Sequence, residues 1–172
     1  MLRKVYSISL PTRGVADIWL LVEAFLWLAL ARIATLTIPF RWVIRFLTLR
    51  PGEGAAQNPP VPGTDSLAFA RRARRALALA GRRTLWRSNC LTKTLAGAGM
   101  LRSRRIASLI AVGVDHPVNS PGRRRKAHAW LSSGGVMVTG APMHRNYRAI
   151  VTFAYNPESS GNAPLFGFFS KN

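Results

Sequence analysis

The sequence predicts an α+β fold in which helices precede a small antiparallel sheet. Three observations carry this. The first fifty residues hold a dense apolar block with helical character. Asn89-Cys90 opens a short helix in mid-chain, with Asn a natural N-cap. After Ile106 the apolar residues run or alternate as strands do, with glycine and proline between them. The 172 residues are one domain's worth of chain, organised as an apolar helical section (1–50), a linker (51–64) and a core (65–172).

Val5, Ile8 and Leu10 form at most a marginal strand. Val15 to Arg32 predicts a helix, and Ile33 to Leu49 a second one, with the break near Thr37–Pro39. Glu23 and Arg32 divide the first stretch into uncharged runs shorter than the ~20 residues a membrane crossing needs. A buried or partner-facing helical hairpin is therefore expected rather than a transmembrane segment. Peripheral membrane contact through Arg41, Arg45 and Arg50 stays open. The density of Pro and Gly across 51–64 predicts no regular structure there. A basic amphipathic helix follows, capped by Asp65 or Ser66 and ended by Gly81. Its Arg71, Arg72, Arg74 and Arg75 read as a solvated face or as a patch for an acidic partner.

The next helix runs from Cys90 to about Leu101, and a buried strand from Ile106 to Val114. Ala127–Ser132 and Gly135–Thr139 form a hairpin around Ser133-Gly134, and Tyr147–Tyr155 is a further alternating strand. His116 and His144 fall in loop-like surroundings, and Leu165–Phe169 is expected to cover an exposed edge.

Twenty-five Lys and Arg stand against six Asp and Glu, a net charge of +19. Such a field attracts anionic partners without specifying a fold. Nucleic-acid binding is not expected, for the Arg clusters lack interleaved aromatic platforms and no recognition module stands out. A single cysteine forms no internal disulfide. One Cys with three His also speaks against a structural metal, and no cofactor is implied. No apolar segment leading to a small-residue cleavage site follows Arg3 and Lys4, so a cytoplasmic address is expected.

The chemistry rests on two fixed points, Cys90 and His128. A thiol in the first turn of a helix sits where the dipole and unbonded N–H groups favour a negatively charged sulfur. The same N–H groups can receive the oxyanion formed during acyl transfer. His128, on a strand, is of the type that takes the thiol proton. Asn89, Leu91, Trp130 and Trp86 are the near-site candidates, with capping and packing as their plainer roles. On spacing alone, a buried cysteine and a packed histidine are the favoured account of the pair.

Cys90-Leu-Thr-Lys-Thr-Leu, the strand Ile106 to Val114 and Ala127-His128-Ala129-Trp130-Leu131 together resemble the leader-peptidase B family of lasso-peptide biosynthesis, in its stand-alone form. The apolar block Leu21 to Arg32 with Pro39-Phe40-Arg41 is similar to the front of that form, so the resemblance runs roughly from Asp17 to Phe153. It implies a papain/transglutaminase-like core with Cys90 as nucleophile and His128 as general base and acid. The implied substrate is a ribosomally made precursor peptide. A separate leader-recognition protein and a lactam-forming cyclase are the implied partners. The family's third catalytic residue, an Asp on the strand after the His, has no counterpart here. A turn at Ser133-Gly134 puts Thr139 opposite His128, and a one-residue change of register puts Gly140 there. Thr139, Asn146 or a backbone carbonyl is left to orient the imidazole.

Overall fold

The computed structural model describes residues 14–47, 50–52, 63–84, 86, 88–115, 126–141 and 146–160. The segment Val5 to Leu10, most of the expected linker, His116, His144 and Leu165–Phe169 lie outside them. In chain order the elements are α1 (Val15–Thr37), α2 (Phe40–Phe46), β1 (Arg50–Gly52), α3 (Thr64–Arg83), α4 (Cys90–Arg102), β2 (Ser108–Asp115), β3 (Ala127–Ser133), β4 (Val136–Thr139), β5 (Tyr147–Tyr155) and the short α5 (Pro157–Ser160). The strands make one five-stranded sheet in the order β1-β5-β2-β3-β4, antiparallel throughout.

The break between α1 and α2 falls at Ile38-Pro39, where proline cannot continue the helical ladder. Along α1, Leu20, Ala24, Leu28 and Ala31 are buried at helical spacing. They join Leu77 and Ala80 of α3, Leu95 and Met100 of α4, and Ile110 and Leu131 of the sheet in a single core. β1 brings Pro51 and Gly52 into the sheet, paired with Phe153 and Thr152 of β5. The expected linker thus starts as an edge strand. Proline is at home there because an edge leaves one side of the strand unpaired.

α3 differs from its expected limits at both ends. It begins two to three residues earlier, after Gly63 rather than Asp65 or Ser66, and no side chain caps it. It also runs through Gly81 to Arg83. There the Lys93 side chain lies across the helix, 2.9 Å from where a Cβ would stand. Gly81 is a packing spacer, not a stop. α4 ends in a Schellman arrangement: Ile106 N–H donates to the Leu101 carbonyl and Arg105 N–H to that of Arg102. Arg105 takes the positive φ of 53° usually left to glycine. That turn occupies Ile106 and Ala107, so β2 starts at Ser108, two residues later than expected.

The contact of α1 with α4 depends on Gly99, where any Cβ would overlap the Trp27 ring. Gly99→Ala is expected to lower unfolding free energy by about 2 kcal/mol, an ordinary overpacking cost. Chemical denaturation at constant m-value would measure it. A neutral result would show that Trp27 can swing clear.

Candidate active site

Asn89 caps α4 as its sequence predicts. Its side-chain Oδ1 accepts from the Thr92 N–H and from the Thr92 hydroxyl, each at 2.8 Å. The Asn89 carbonyl accepts from Lys93 N–H. The N–H groups of Cys90 and Leu91 have no acceptor among the described residues, as expected for the first turn of a helix. Cys90 therefore heads α4 with two unbonded donors beside its sulfur, and its thiol is half-buried. Leu91 packs against the core.

Three contacts set how α4 lies against the sheet. Thr94 and Thr139 share a buried hydroxyl–hydroxyl bond of 3.0 Å. A Cβ on Gly97 would stand 2.7 Å from Leu131 Cδ2. Ser133, at the end of β3, donates to the Ala107 carbonyl at 2.6 Å, just beyond the C-terminus of α4. Cys90, Thr94 and Gly97 follow the i, i+4, i+7 spacing of one helix face. Cys90 thus shares the face of α4 that meets β3 and β4. The two elements also run in the same direction. From the Gly97–Leu131 contact, Cys90 lies about 10 Å back along α4 and His128 about 10 Å back along β3. Both reach the same end of the molecule.

The hairpin turns at Gly134-Gly135, one residue later than expected, with φ of 50° and 78°. Two positive φ values are what a two-residue hairpin turn favours, and a Gly-Gly pair supplies them at least cost. Ser133 then pairs with Val136 and Ser132 with Met137. A shift past Val138 puts Thr139 opposite Leu131. Thr139 is therefore not across from His128, and its hydroxyl bonds to Thr94. Instead His128 Nε2 is 3.2 Å from the Gly140 carbonyl. A carbonyl only accepts, so this bond places hydrogen on Nε2 and leaves Nδ1 as the free lone pair of the neutral ring. Asn146 is exposed and makes no hydrogen bond to His128. Of the three candidate orienters, the structure uses the backbone carbonyl.

Trp130 stacks on His128 with centroids 6.1 Å apart, and Tyr147 lies on the imidazole at 5.0 Å. The ring is held between two aromatics. Tyr147 was not foreseen; the signal available was its place at the start of β5, which lies across β2 from β3. Ala129 and Leu131 are the buried residues of β3, with Leu131 against α4. His128 and Trp130 consequently leave the strand on its other side. Among the described residues Cys90 makes no hydrogen bond to His128. The imidazole and the thiol thus leave β3 and α4 on opposite sides of the strand, and the Cys90–His128 pair is not formed in this structure. Trp86 packs against the core with its indole N–H buried and unpartnered. No cluster of His, Cys, Asp or Glu among the described residues forms a metal site.

Residues 34–152 match the family model described as Transglutaminase-like superfamily. The chain belongs to this superfamily. Its α+β fold, with a cysteine-headed helix on an antiparallel sheet behind an apolar N-terminal helix, is that of a transglutaminase-like domain. The matched region starts inside α1 and ends in β5, so the transglutaminase-like domain takes in residues on both sides of 51–64. It contains Cys90, His128, Thr139 and Gly140. No curated protein and no solved structure matches the chain.

With the carbonyl of Gly140 holding the imidazole, the Thr139 hydroxyl is structural. Thr139→Val should leave catalytic turnover unchanged while lowering stability by about 1–2 kcal/mol, because the Thr94 hydroxyl loses its buried partner. Asn146→Ala should change neither. A large loss of turnover in Thr139→Val with an unaltered fold would return Thr139 to the catalytic set.

Proposed function

We propose that this transglutaminase-like protein is a cysteine peptidase that cuts the leader from a ribosomally made lasso precursor peptide. It works with a separate leader-recognition protein and a ring-closing cyclase, in the cytoplasm. The supporting observation is that Cys90, heading α4, and His128, held on β3 by the Gly140 carbonyl, lie at about the same height of the two elements, with the imidazole on the side of β3 away from α4. The match to the transglutaminase-like superfamily supports the chemistry; for the substrate class the support is the resemblance of Cys90-Leu91-Thr92 and Ala127-His128-Ala129-Trp130 to leader peptidases.

In this mechanism Nδ1 of His128 removes the thiol proton, and the sulfur attacks the scissile carbonyl carbon. The N–H groups of Cys90 and Leu91 receive the oxyanion. As the C–N bond breaks, the imidazolium returns its proton to the departing amine. Water, activated by the same ring, then hydrolyses the thioester and restores the thiol. The carbonyl of Gly140 keeps the ring oriented throughout. It carries no full charge, so it stabilises the imidazolium less than a carboxylate does.

Mixing the purified protein with precursor and recognition protein should release the leader as a discrete peptide, and prior alkylation of Cys90 should stop it. A second reading, a precursor-binding module without cleavage, draws on the open Cys90–His128 contact and the missing carboxylate. Tight precursor binding with no leader release, partner present, would decide for that reading.

A further inference from the structure

Helix α1 has two apolar faces, and the core uses one. On the other, Val15, Trp19, Val22, Leu26, Leu30 and Ile33 are exposed, Trp19 by 69% and Leu26 by 61%. Their spacing makes one stripe about 27 Å long. The helix carries two carboxylates before Arg32, and both are turned to the body of the protein. Asp17 pairs with Arg72 of α3 at 3.0 Å, and Glu23 with Arg104 at 2.6 Å. From Val15 to Ala31 the outer face is thus without a charged side chain. Past Pro39 the chain enters α2, whose exposed side chains are Phe40, Arg41, Trp42, Arg45 and Phe46. The Arg45 guanidinium lies 5.9 Å from the centroid of Trp42, and that of Arg102 5.9 Å from Phe46.

We propose that the outer face of α1, with the exposed side chains of α2, binds the surface of an anionic lipid bilayer. The apolar stripe enters the boundary between headgroups and acyl chains, and the arginines remain among the phosphates. An uncharged helical face beside mixed aromatic and basic residues is the composition of an interfacial helix. α1 is long and apolar enough to cross a membrane. Crossing would strip Leu20, Ala24, Leu28 and Ala31 from the core and Trp27 from Gly99, so the helix lies flat. Charge decides against a second copy of the chain as occupant. Two molecules of net +19 repel, whereas an anionic leaflet supplies the opposite charge.

Sedimentation of the full chain with vesicles tests this. Vesicles of phosphatidylcholine with roughly one-third phosphatidylglycerol should bind the protein, and pure phosphatidylcholine at least about tenfold more weakly. Leu26→Asp with Leu30→Asp should weaken binding by at least about tenfold. Its circular dichroism and melting should stay those of the parent, since both side chains are exposed. Tryptophan emission should shift to the blue on binding and be quenched by brominated acyl chains. The proposal falls if the parent chain does not sediment with anionic vesicles, or if the double substitution leaves binding intact. It falls equally if the double substitution instead dissolves a homodimer or a complex with the recognition protein in the absence of vesicle binding. Neither substitution touches Cys90 or His128, so leader cleavage is scored independently of this result.

Discussion

Cys90→Ala should abolish leader release, with turnover down by at least about ten-thousandfold, and leave the fold in place. The sulfur is the only atom in the site proposed to bond with the substrate, and nothing nearby replaces it. The cap of α4 is independent of it, because Asn89 Oδ1 is satisfied by Thr92 alone. Cys90 is half-buried and makes no hydrogen bond among the described residues, so the melting temperature should move by less than about 2 °C. Single-turnover cleavage beside a thermal melt reads both quantities. Cleavage that survives the substitution ends the cysteine-peptidase reading; cleavage lost together with the fold leaves Cys90→Ser as the variant to measure.

Gly140→Ala should reduce turnover by about 10–100-fold and stability by about 2–3 kcal/mol. Gly140 has φ of 86°, in the left-handed region where any Cβ is strained. The added carbon would also overlap Trp130 Cβ and stand 3.0 Å from Trp130 Cα and 3.2 Å from the Ala129 carbonyl. These include main-chain atoms, so no side-chain rotation relieves the clash. The turn after β4 must shift, and with it the carbonyl that holds Nε2 of His128. Nitrogen chemical shifts of the imidazole distinguish this from general loosening. The parent should show hydrogen on Nε2 and the variant a mixture of tautomers. Full turnover in a folded Gly140→Ala protein would mean that the carbonyl does not orient the ring.

Much of the fold is legible wherever one local rule acts alone. The Asn89 cap fixes the start of α4 to the residue, and the alternating stretch Tyr147–Tyr155 forms β5, with a bulge at Ile150 that the sequence does not mark. Pro39 marks the kink between α1 and α2. The expectations fail where tertiary packing outweighs a local signal. Gly81 looks like a helix stop and serves as room for Lys93; Pro51-Gly52 looks like a linker and forms an edge strand against β5. In the site, Cys90 and His128 stand out from chemistry alone, but the partner of His128 does not. Its identity depends on a hairpin turn one residue away from the expected one and on the extra residue Val138, which moves Thr139 to Leu131 and delivers the next carbonyl to the imidazole. A single residue of register separates a threonine hydroxyl from a peptide oxygen, and composition does not encode that choice.

The Thr94–Thr139 bond and the seat of Gly97 on Leu131 have a consequence for how this chain can vary in length. Together they index α4 like a keyed shaft. One residue inserted or deleted between Cys90 and Thr94 would swing the sulfur by about 100° and move it about 1.5 Å along the axis, away from the strands altogether. The intervals of four and three residues linking positions 90, 94 and 97 are therefore fixed dimensions of the site. Any tolerance for gained or lost residues must lie upstream of Asn89, where a change of length alters the path into the helix but not the direction in which the thiol points.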